Sequence, residues 1–378
     1  MTITKKYPRN LLRKDAILAA IGAYRDRFFS WLIPVGAFLL SLAILSIVIA
    51  VAKVSPLVAY GALMRGAFGN QHAIATTLIH ATVLIFAGLG IAVAFRSGVW
   101  NVGAEGQILI GGLTSAVVGI YVKGLPIYVH LPLCLASGFV GGSLWGGLAG
   151  FLLAKYRVNE IITTLMMNYI AMYFVGWLIR GPIRDPGGSD VQTFMILPSA
   201  TLPIIYPGTN LHAGIIVALL TAVLIYVLMF RTSIGYQLRA VGINVHASRY
   251  SGMRIHLVQV SAMLISGGLA GLGGAAEILG AQYRLRDYFL SNYGFDAIAV
   301  AMLGQLHPIG LVLSGILFGG LKTGAATMQR MTNLPSSLIY LLQGTVVIFV
   351  VSATILQTMS ARSLSRREER RNERRAPE

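Results

Sequence analysis

Charge is scarce in this chain. Of 378 residues, 11% are Asp, Glu, Lys or Arg, against about 25% in an average soluble domain. So few charges cannot dress a water-facing surface of that size. The hydrophobic residues, 56% of the chain, fall in long uninterrupted runs, which defines a membrane protein. Cysteine is nearly absent as well. Cys134 stands alone, which excludes an internal disulfide and a cysteine-built metal site; inside an apolar run it reads as a small packing residue. The seven histidines show no H-E-x-x-H spacing, so no metal site is expected. There is no G-x-x-x-x-G-K-[ST] motif; Gly320-Leu-Lys-Thr323 bears only a superficial likeness to one and lies in an apolar segment. The chain cannot hydrolyse ATP by itself. With no G-x-S-x-G, paired-carboxylate cluster or zinc motif either, it reads as no enzyme, with no catalytic residues and no cofactor of its own.

Positive charge, by contrast, is in excess, with a formal net charge of +17. Its distribution argues against nucleic acid. Residues 1–30 and 358–378 form basic arms beside apolar spans, as retention on the negatively charged cytoplasmic side of a membrane requires. The N-terminal stretch does not read as a cleavable signal peptide, because the apolar run after it is too long and lacks a small-residue cleavage site. The tail after about Ser360 reads as a polar helix or disordered.

A bilayer core needs about 20 apolar residues per crossing. Clear spans run Phe28 to Ala52, Ala73 to Phe95, Gly124 to Ala154, Ile161 to Ile179, Ala213 to Phe230, Ile255 to Ala276 and Leu334 to Met359, all free of Asp, Glu, Lys and Arg. Ile108 to Val122 reads as one short span. Gly294 to Thr323, broken at His307-Pro308, reads as two short helices of re-entrant type. The expectation is an all-α polytopic fold of about ten transmembrane or re-entrant helices over residues 31–357. An even number puts both termini on the same side. With both cytoplasmic, segments 1–30, 96–107, 155–160, 231–254 and 358–378 hold 7, 1, 2, 4 and 7 Lys or Arg, 21 of the 30, in keeping with the positive-inside rule. Residues 181–212 form the longest external connection, rich in Pro, Gly and Ser, and are expected to be irregular. Gly138, Gly142, Gly146 and Gly150 recur on one helix face, as close helix packing demands, and Gly267/Gly271 and Gly315/Gly319 repeat the spacing. A gating hinge is the alternative reading of these glycines. A faint internal echo pairs Ile91-Ala-Val-Ala94 with Ile298-Ala-Val-Ala301 and Gly103 with Gly310; transporters often carry such repeats.

Four stretches carry chemistry. In Phe95-Arg-Ser-Gly-Val-Trp-Asn-Val-Gly-Ala-Glu-Gly-Gln107, glycines break regular structure while Asn101, Glu105 and Gln107 bring polar groups to the membrane boundary. Irregular backbone there is tolerated only against protein or a water-filled cavity. Glu105 is a pathway candidate; pairing with Arg96 or capping the following helix is the structural alternative. In Val158-Asn-Glu-Ile-Ile-Thr-Thr-Leu-Met-Met-Asn-Tyr-Ile-Ala171, Asn159 is an N-cap candidate with Glu160 in the first turn. Thr164 and Asn168 share a face, and Tyr169, Tyr173 and Trp177 form a ridge beside it. These groups could meet a solute or simply hydrogen-bond and pack between helices. The polar stretch 231–254 is too polar to span. Asn244 can cap a short helix that carries Ala247, Ser248, Arg249 and Tyr250 and ends at Gly252, and that helix reads as a docking element. In Gly294-Phe-Asp-Ala297, Asp296 suits a helix N-terminus or the outer mouth of a pathway.

Together these four stretches resemble the permeases of the ribose/branched-chain amino acid family of ABC importers, over roughly residues 75 to 355. The Phe95–Gln107 stretch is similar to that family's signature. Asn159-Glu-Ile-Ile-Thr-Thr-Leu-Met-Met-Asn-Tyr-Ile170 resembles the nucleoside-type branch. Gly242-Ile-Asn-Val-His-Ala247, with Arg249, Tyr250 and Gly252, is similar to the ATPase-coupling loop. The resemblance implies a bacterial inner-membrane permease working by alternating access, with Asn101, Glu105, Gln107, Thr164, Asn168, Tyr169 and Asp296 near the translocation path. It implies as partners a separate ATP-binding subunit that uses the ATP, a second and different permease chain, a solute-binding protein and membrane lipid. The solute would be a nucleoside, or else a simple sugar or branched-chain amino acid. An ion-coupled secondary transporter is the rival from another class. It needs carboxylates deep in the spans, whereas Glu105, Glu160, Glu277 and Asp296 are expected at span ends.

Overall fold

The computed structural model describes residues 39–335 except 189, 288, 290 and 291, together with Gly36 and positions 337, 338, 340, 341, 344, 345, 348, 349 and 352. The basic arm 1–30 and the tail 358–378 lie outside the described residues, as do parts of the first and last expected spans. The chain divides into two compact units. One comprises residues 1–51 and 340–378, and in it helix α1 spans Leu39–Val51. The other, residues 52–339, carries everything discussed below.

In that second unit the described elements are helices joined by irregular segments. In order they are α2 (Pro56–Phe68), α3 (Gln71–Arg96), α4 (Ala104–Tyr121), α5 (Ile127–Tyr156), α6 (Glu160–Arg180), α7 (Gly214–Arg231), α8 (Ser233–Ile243), α9 (Val245–Tyr250), α10 (Ile255–Glu277), α11 (Tyr293–Leu303) and α12 (Pro308–Thr332). Seven of them, α3 to α7, α10 and α12, are long and apolar enough to cross a membrane. The expected count of ten is not reached among the described residues: α11 has only 11 residues, and the two terminal spans are only partly described. Two expectations need correction. The span expected over Ile108 to Val122 starts earlier, because the glycine-rich signature enters the helix at Ala104. The region read as two short helices is one short helix, α11, and one of 25 residues, α12. Pro308 occupies the first turn of α12, where its missing N–H costs nothing.

Caps set several boundaries. The Asn70 side chain accepts from Ala73 N at 2.8 Å, and Asn159 accepts from Ile161 N and Ile162 N at 3.0 and 3.2 Å. Tertiary order comes from glycine seams. In a bilayer, helices gain little by burying apolar surface against each other, so close backbone approach and dispersion take over. A Cβ on Gly142 would lie 2.3 Å from the Gly267 carbonyl oxygen, and one on Gly271 would lie 2.3 Å from that of Gly138. These contacts lock α5 onto α10 in antiparallel sense. Gly319 does the same for α12 on α3, with its Cβ position 2.5 Å from the Thr77 oxygen. The four-residue glycine spacing therefore serves packing. Cys134 is fully buried, as a packing residue should be.

The faint internal echo has a structural counterpart. At a constant offset, α3 and α11 end in the same turn. Val99 N donates to Ala94 O and Leu306 N to Ala301 O; Gly98 N donates to Phe95 O and Gln305 N to Met302 O. Gly98 and Gln305 both take positive φ, 74° and 54°. The two turns are joined, since Arg96 Nε donates to Leu306 O at 2.7 Å.

Residues 181–212 are largely irregular, with one 3-10 turn at Pro198–Ala200. They are held to the segment after α10 by Thr193 N to Leu285 O, Ile196 N to Tyr283 O and Leu202 N to Leu279 O, and by the Arg180–Asp287 ion pair. His212 is buried at the end of this connection, its Nδ1 accepting from Gly214 N. Burial pushes its pKa down to about 4, so it is neutral.

The seams make a direct prediction. Gly142→Ala forces a methyl against backbone that cannot yield, and should cost about 1–3 kcal/mol. It should lower the thermal midpoint of the detergent-purified protein. Gly61→Ala, with open space at its Cβ, should not.

Candidate functional site

The Phe95–Gln107 signature forms a hairpin turn that folds back into the bundle. After Arg96 the chain turns at Gly98, and Val99 packs with Ala94, Ala149, Met167 and Met263. Residues 99–103 then run without regular structure among α6 and α10 before α4 begins at Ala104. Such backbone has no water to satisfy it, so side chains must. Asn101 Oδ1 accepts from Gly103 N at 2.9 Å, while its Nδ2 donates to Gln107 Oε1 at 2.9 Å and to Ser266 Oγ on α10 at 2.8 Å. Gln107 Nε2 returns a bond to Asn101 Oδ1 at 3.1 Å. From α6, Asn168 accepts from Gly106 N at 2.8 Å and donates to Val102 O at 2.9 Å. Thr164 Oγ1 accepts from Val102 N at 3.3 Å. Asn101, Gln107, Thr164 and Asn168 are all buried. Apart from the Thr164 hydroxyl, which donates to Glu160 O at 2.6 Å, their bonds form one polar cross-link, and four of the seven pathway candidates are thus brought together as its members. Gly103 and Gly106 are needed for the approach, because a Cβ would lie 2.9 Å from Thr164 Cβ and 3.0 Å from Asn168 Cα.

Glu105 takes a different role. It does not pair with Arg96, nor does it cap its own helix. Its two oxygens accept from Asn292 N at 2.8 Å and Gly294 N at 2.6 Å, so it caps the N-terminus of α11 from α4. A carboxylate suits that end of a helix electrostatically. The α11 N-terminus presses on α4 so closely that a Cβ on Gly294 would lie 2.2 Å from Glu105 N.

Asp296, expected to cap α11, is instead paired with Lys322 of α12 at 2.5 Å, with the two side chains 8% and 16% exposed. Lys322 Nζ also lies 4.0 Å from the centroid of the Tyr293 ring, and Tyr293 Oη is 2.5 Å from His80 Nδ1 on α3. Lys322 is fourteen residues beyond Pro308, about 21 Å along the helix at 1.5 Å per residue. This pair lies well inside the bundle, so Asp296 is not at a span end as expected, and the argument it offered against ion coupling falls away. Sequence reading passed over Lys322 and Ser266. A lone lysine in an apolar run was the available signal for the first; a serine among so many small residues gave none for the second. Tyr169 stands apart, 50% exposed on the outer face of α6 with Tyr173 and Trp177.

The stretch 231–254 forms α8 and α9. Thr232 caps α8 and Asn244 caps α9, accepting from Ala247 N at 3.0 Å, and Gly252 takes φ 79° where the chain leaves α9. Gly242 meets the end of α3, where a Cβ would lie 2.0 Å from Arg96 O. Contact therefore runs directly from this element to the hairpin turn. Ala247, Arg249 and Tyr250 face outward. Tyr250 is 94% exposed and Ile243, which sequence reading missed, is 86% exposed.

Polar irregular segments buried among apolar helices, a broken helix capped from its neighbour, and a protruding α8–α9 element define a membrane permease. Residues 73–351 match the family described as branched-chain amino acid transport system / permease component, and the chain belongs to that family. It is 39% identical over 325 residues to the guanosine ABC transporter permease protein NupP of Bacillus subtilis, covering 85% of this chain and 93% of that one. It is 34% identical to the glucose ABC transporter permease protein TsgB13 of Haloferax volcanii (85% and 87% covered). It is 28% identical to the nucleoside ABC transporter permease protein NupB of Lactococcus lactis (87% and 92% covered). No solved structure matches the chain.

The buried ion pair makes a prediction. Lys322→Met strands the Asp296 carboxylate and should destabilise the protein by about 3–5 kcal/mol, whereas Asp296→Leu with Lys322→Met should recover most of that loss. Thermal melts of the two purified variants check it.

Proposed function

We propose that this chain is the membrane-spanning permease subunit of a bacterial ABC importer and that its solute is a nucleoside. Family membership carries the transport role, and the 39% identity to a guanosine permease over most of both chains carries the solute class. The relation to NupB supports it. A simple sugar is the second reading, favoured by the 34% identity to the glucose permease.

In this reading both termini are cytoplasmic. The end of the bundle that gathers Arg96, Lys155, Arg157, Arg231, Arg239, Arg249 and Arg254 faces inward, following the positive-inside rule. Ile243 and Tyr250, with Arg249, then dock the separate ATP-binding subunit, and Gly242 passes its movement to the hairpin turn. A second permease chain, different from this one, completes the pathway, and a solute-binding protein delivers cargo to the outer face. The path runs beside α11. Broken helices near the membrane midplane are where transporters place their solutes, and the Asp296–Lys322 pair offers both a donor and an acceptor to the hydroxyls and base edge of a nucleoside. Asn101, Gln107, Thr164 and Asn168 shape the wall behind it, and Tyr169 faces a neighbour.

Uptake of radiolabelled guanosine by cells with and without the gene tests this. Deletion should abolish uptake, and excess unlabelled ribose or glucose should not compete in cells that carry the gene. Guanosine uptake that survives deletion, in cells with no parallel nucleoside system, together with loss of glucose uptake, would transfer the assignment to sugars.

A further inference from the structure

Two guanidinium groups share one aromatic ring at the basic end of the bundle, and among the described residues no carboxylate joins them. Arg96 Cζ at the end of α3 and Arg239 Cζ on α8 each lie 5.2 Å from the ring centroid of Phe230 at the end of α7. The His307 ring is 5.5 Å from Phe230 and 5.8 Å from Tyr226. His307 Nδ1 accepts from Ile309 N, which leaves its Nε2 to carry the proton and donate. Arg96 spends only its Nε, on Leu306 O. Arg239 Nε is buried and has no partner.

The ion pairs among the described residues of this unit are Arg180–Asp287 and Lys322–Asp296, and neither reaches this cluster. Of the described carboxylates, only Glu160, in the first turn of α6, stands at this end of the bundle. Like charges gathered on one ring, with the Arg239 Nε donor buried and unspent, lack an anion. The surroundings indicate its form. From the cluster the outward faces of α7 (Leu220, Val223, Leu224, Val227) and of the start of α12 (Ile309, Leu313) are exposed and apolar. The two helices pack together. A phosphate at the arginines would therefore have a hydrocarbon surface leading away from it into the membrane, and Tyr226 and His307 stand at headgroup level, where such amphipathic rings belong.

We propose that Arg96 and Arg239 bind the phosphate of an anionic phospholipid of the leaflet at this end, with His307 as an additional donor and the acyl chains along α7 and α12. This rests on the membrane orientation given above and not on the choice of solute. The lipid would tie α8, which carries Gly242, to the joined turns after α3 and α11, and so brace the contact through which movement of α8 and α9 reaches the hairpin.

The test is co-purification and thermal protection of the full-length chain with its partner subunits. The probes are phosphatidylglycerol, phosphatidylcholine and inorganic phosphate. Phosphatidylglycerol should stay bound through purification and raise the thermal midpoint; phosphatidylcholine should do neither. With about 1 kcal/mol per basic residue at a lipid surface, Arg96→Gln and Arg239→Gln should each lower retained phosphatidylglycerol about five-fold. Arg239→Lys should restore part of it, and Arg231→Gln, next to the cluster, should leave it unchanged. If the glutamine variants melt too early to purify, retention by Arg239→Lys against Phe230→Leu decides the question, with the lysine variant expected to keep lipid and the leucine variant to lose it. Equal protection by inorganic phosphate would overturn the lipid as source. Undiminished phosphatidylglycerol with loss of the ATP-binding subunit from the arginine variants would overturn the proposal in favour of a protein carboxylate. Guanosine uptake is read separately, so failure of the solute assignment leaves this result standing.

Discussion

Backbone that leaves helical geometry inside a membrane must find its hydrogen bonds within the protein, and that constraint organises this permease. The hairpin turn after α3 and the start of α11 are two such segments. Each is satisfied by side chains, from other elements except for Asn101, which lies within the turn. Asn101 and Asn168 bond the turn, and Glu105 bonds the first amides of α11. Because Glu105 follows directly on the turn that Asn168 fixes, the two irregular segments are one mechanical unit. Displacing the turn would displace the cap of α11, and with it the Asp296–Lys322 pair.

Around this polar centre the glycine seams supply rigidity without hydrophobic force. The α5–α10 contact buries backbone against backbone, which fixes the position of Ser266 and so of Asn101. On the opposite side, the paired turns after α3 and α11 meet through Arg96 and Leu306. Gly242 rests on the same arginine's carbonyl. A path for movement therefore exists from α8 to the turn and from the turn to α11, built entirely from direct contacts. The exposed Ile243 and Tyr250 lie at its outer end.

Much of this was legible in the sequence, and what was not has physical causes. Long charge-free runs gave helices α3, α6, α7 and α10 nearly to the residue, since bilayer thickness sets a length that composition alone can meet. Asn159 and Asn244 were readable as caps because capping is local. The repeat between residues 91–103 and 298–310 was barely visible, for four apolar residues say little in so apolar a chain. The backbone turn makes it plain. Glu105, Asp296 and Lys322 were not placed, because their partners lie tens to hundreds of residues away and a carboxylate at a helix start looks like that helix's own cap. Asn101 and Gln107 were legible as buried polar groups in one stretch, and Thr164 and Asn168 in another. What their pattern could not tell is that they would spend their hydrogen bonds on one another and on a single turn.

Hydrogen exchange on the purified, lipid-reconstituted protein tests the central claim most directly, through peptides covering residues 101–107 and 292–297. The account predicts slow exchange at both in the wild type. Asn168→Ala should speed exchange at both segments by roughly ten-fold or more, the consequence of losing about 1.4 kcal/mol or more of hydrogen bonding at the turn. Acceleration confined to 101–107, with 292–297 unchanged, would contradict it, because the turn and the broken helix would then be held independently.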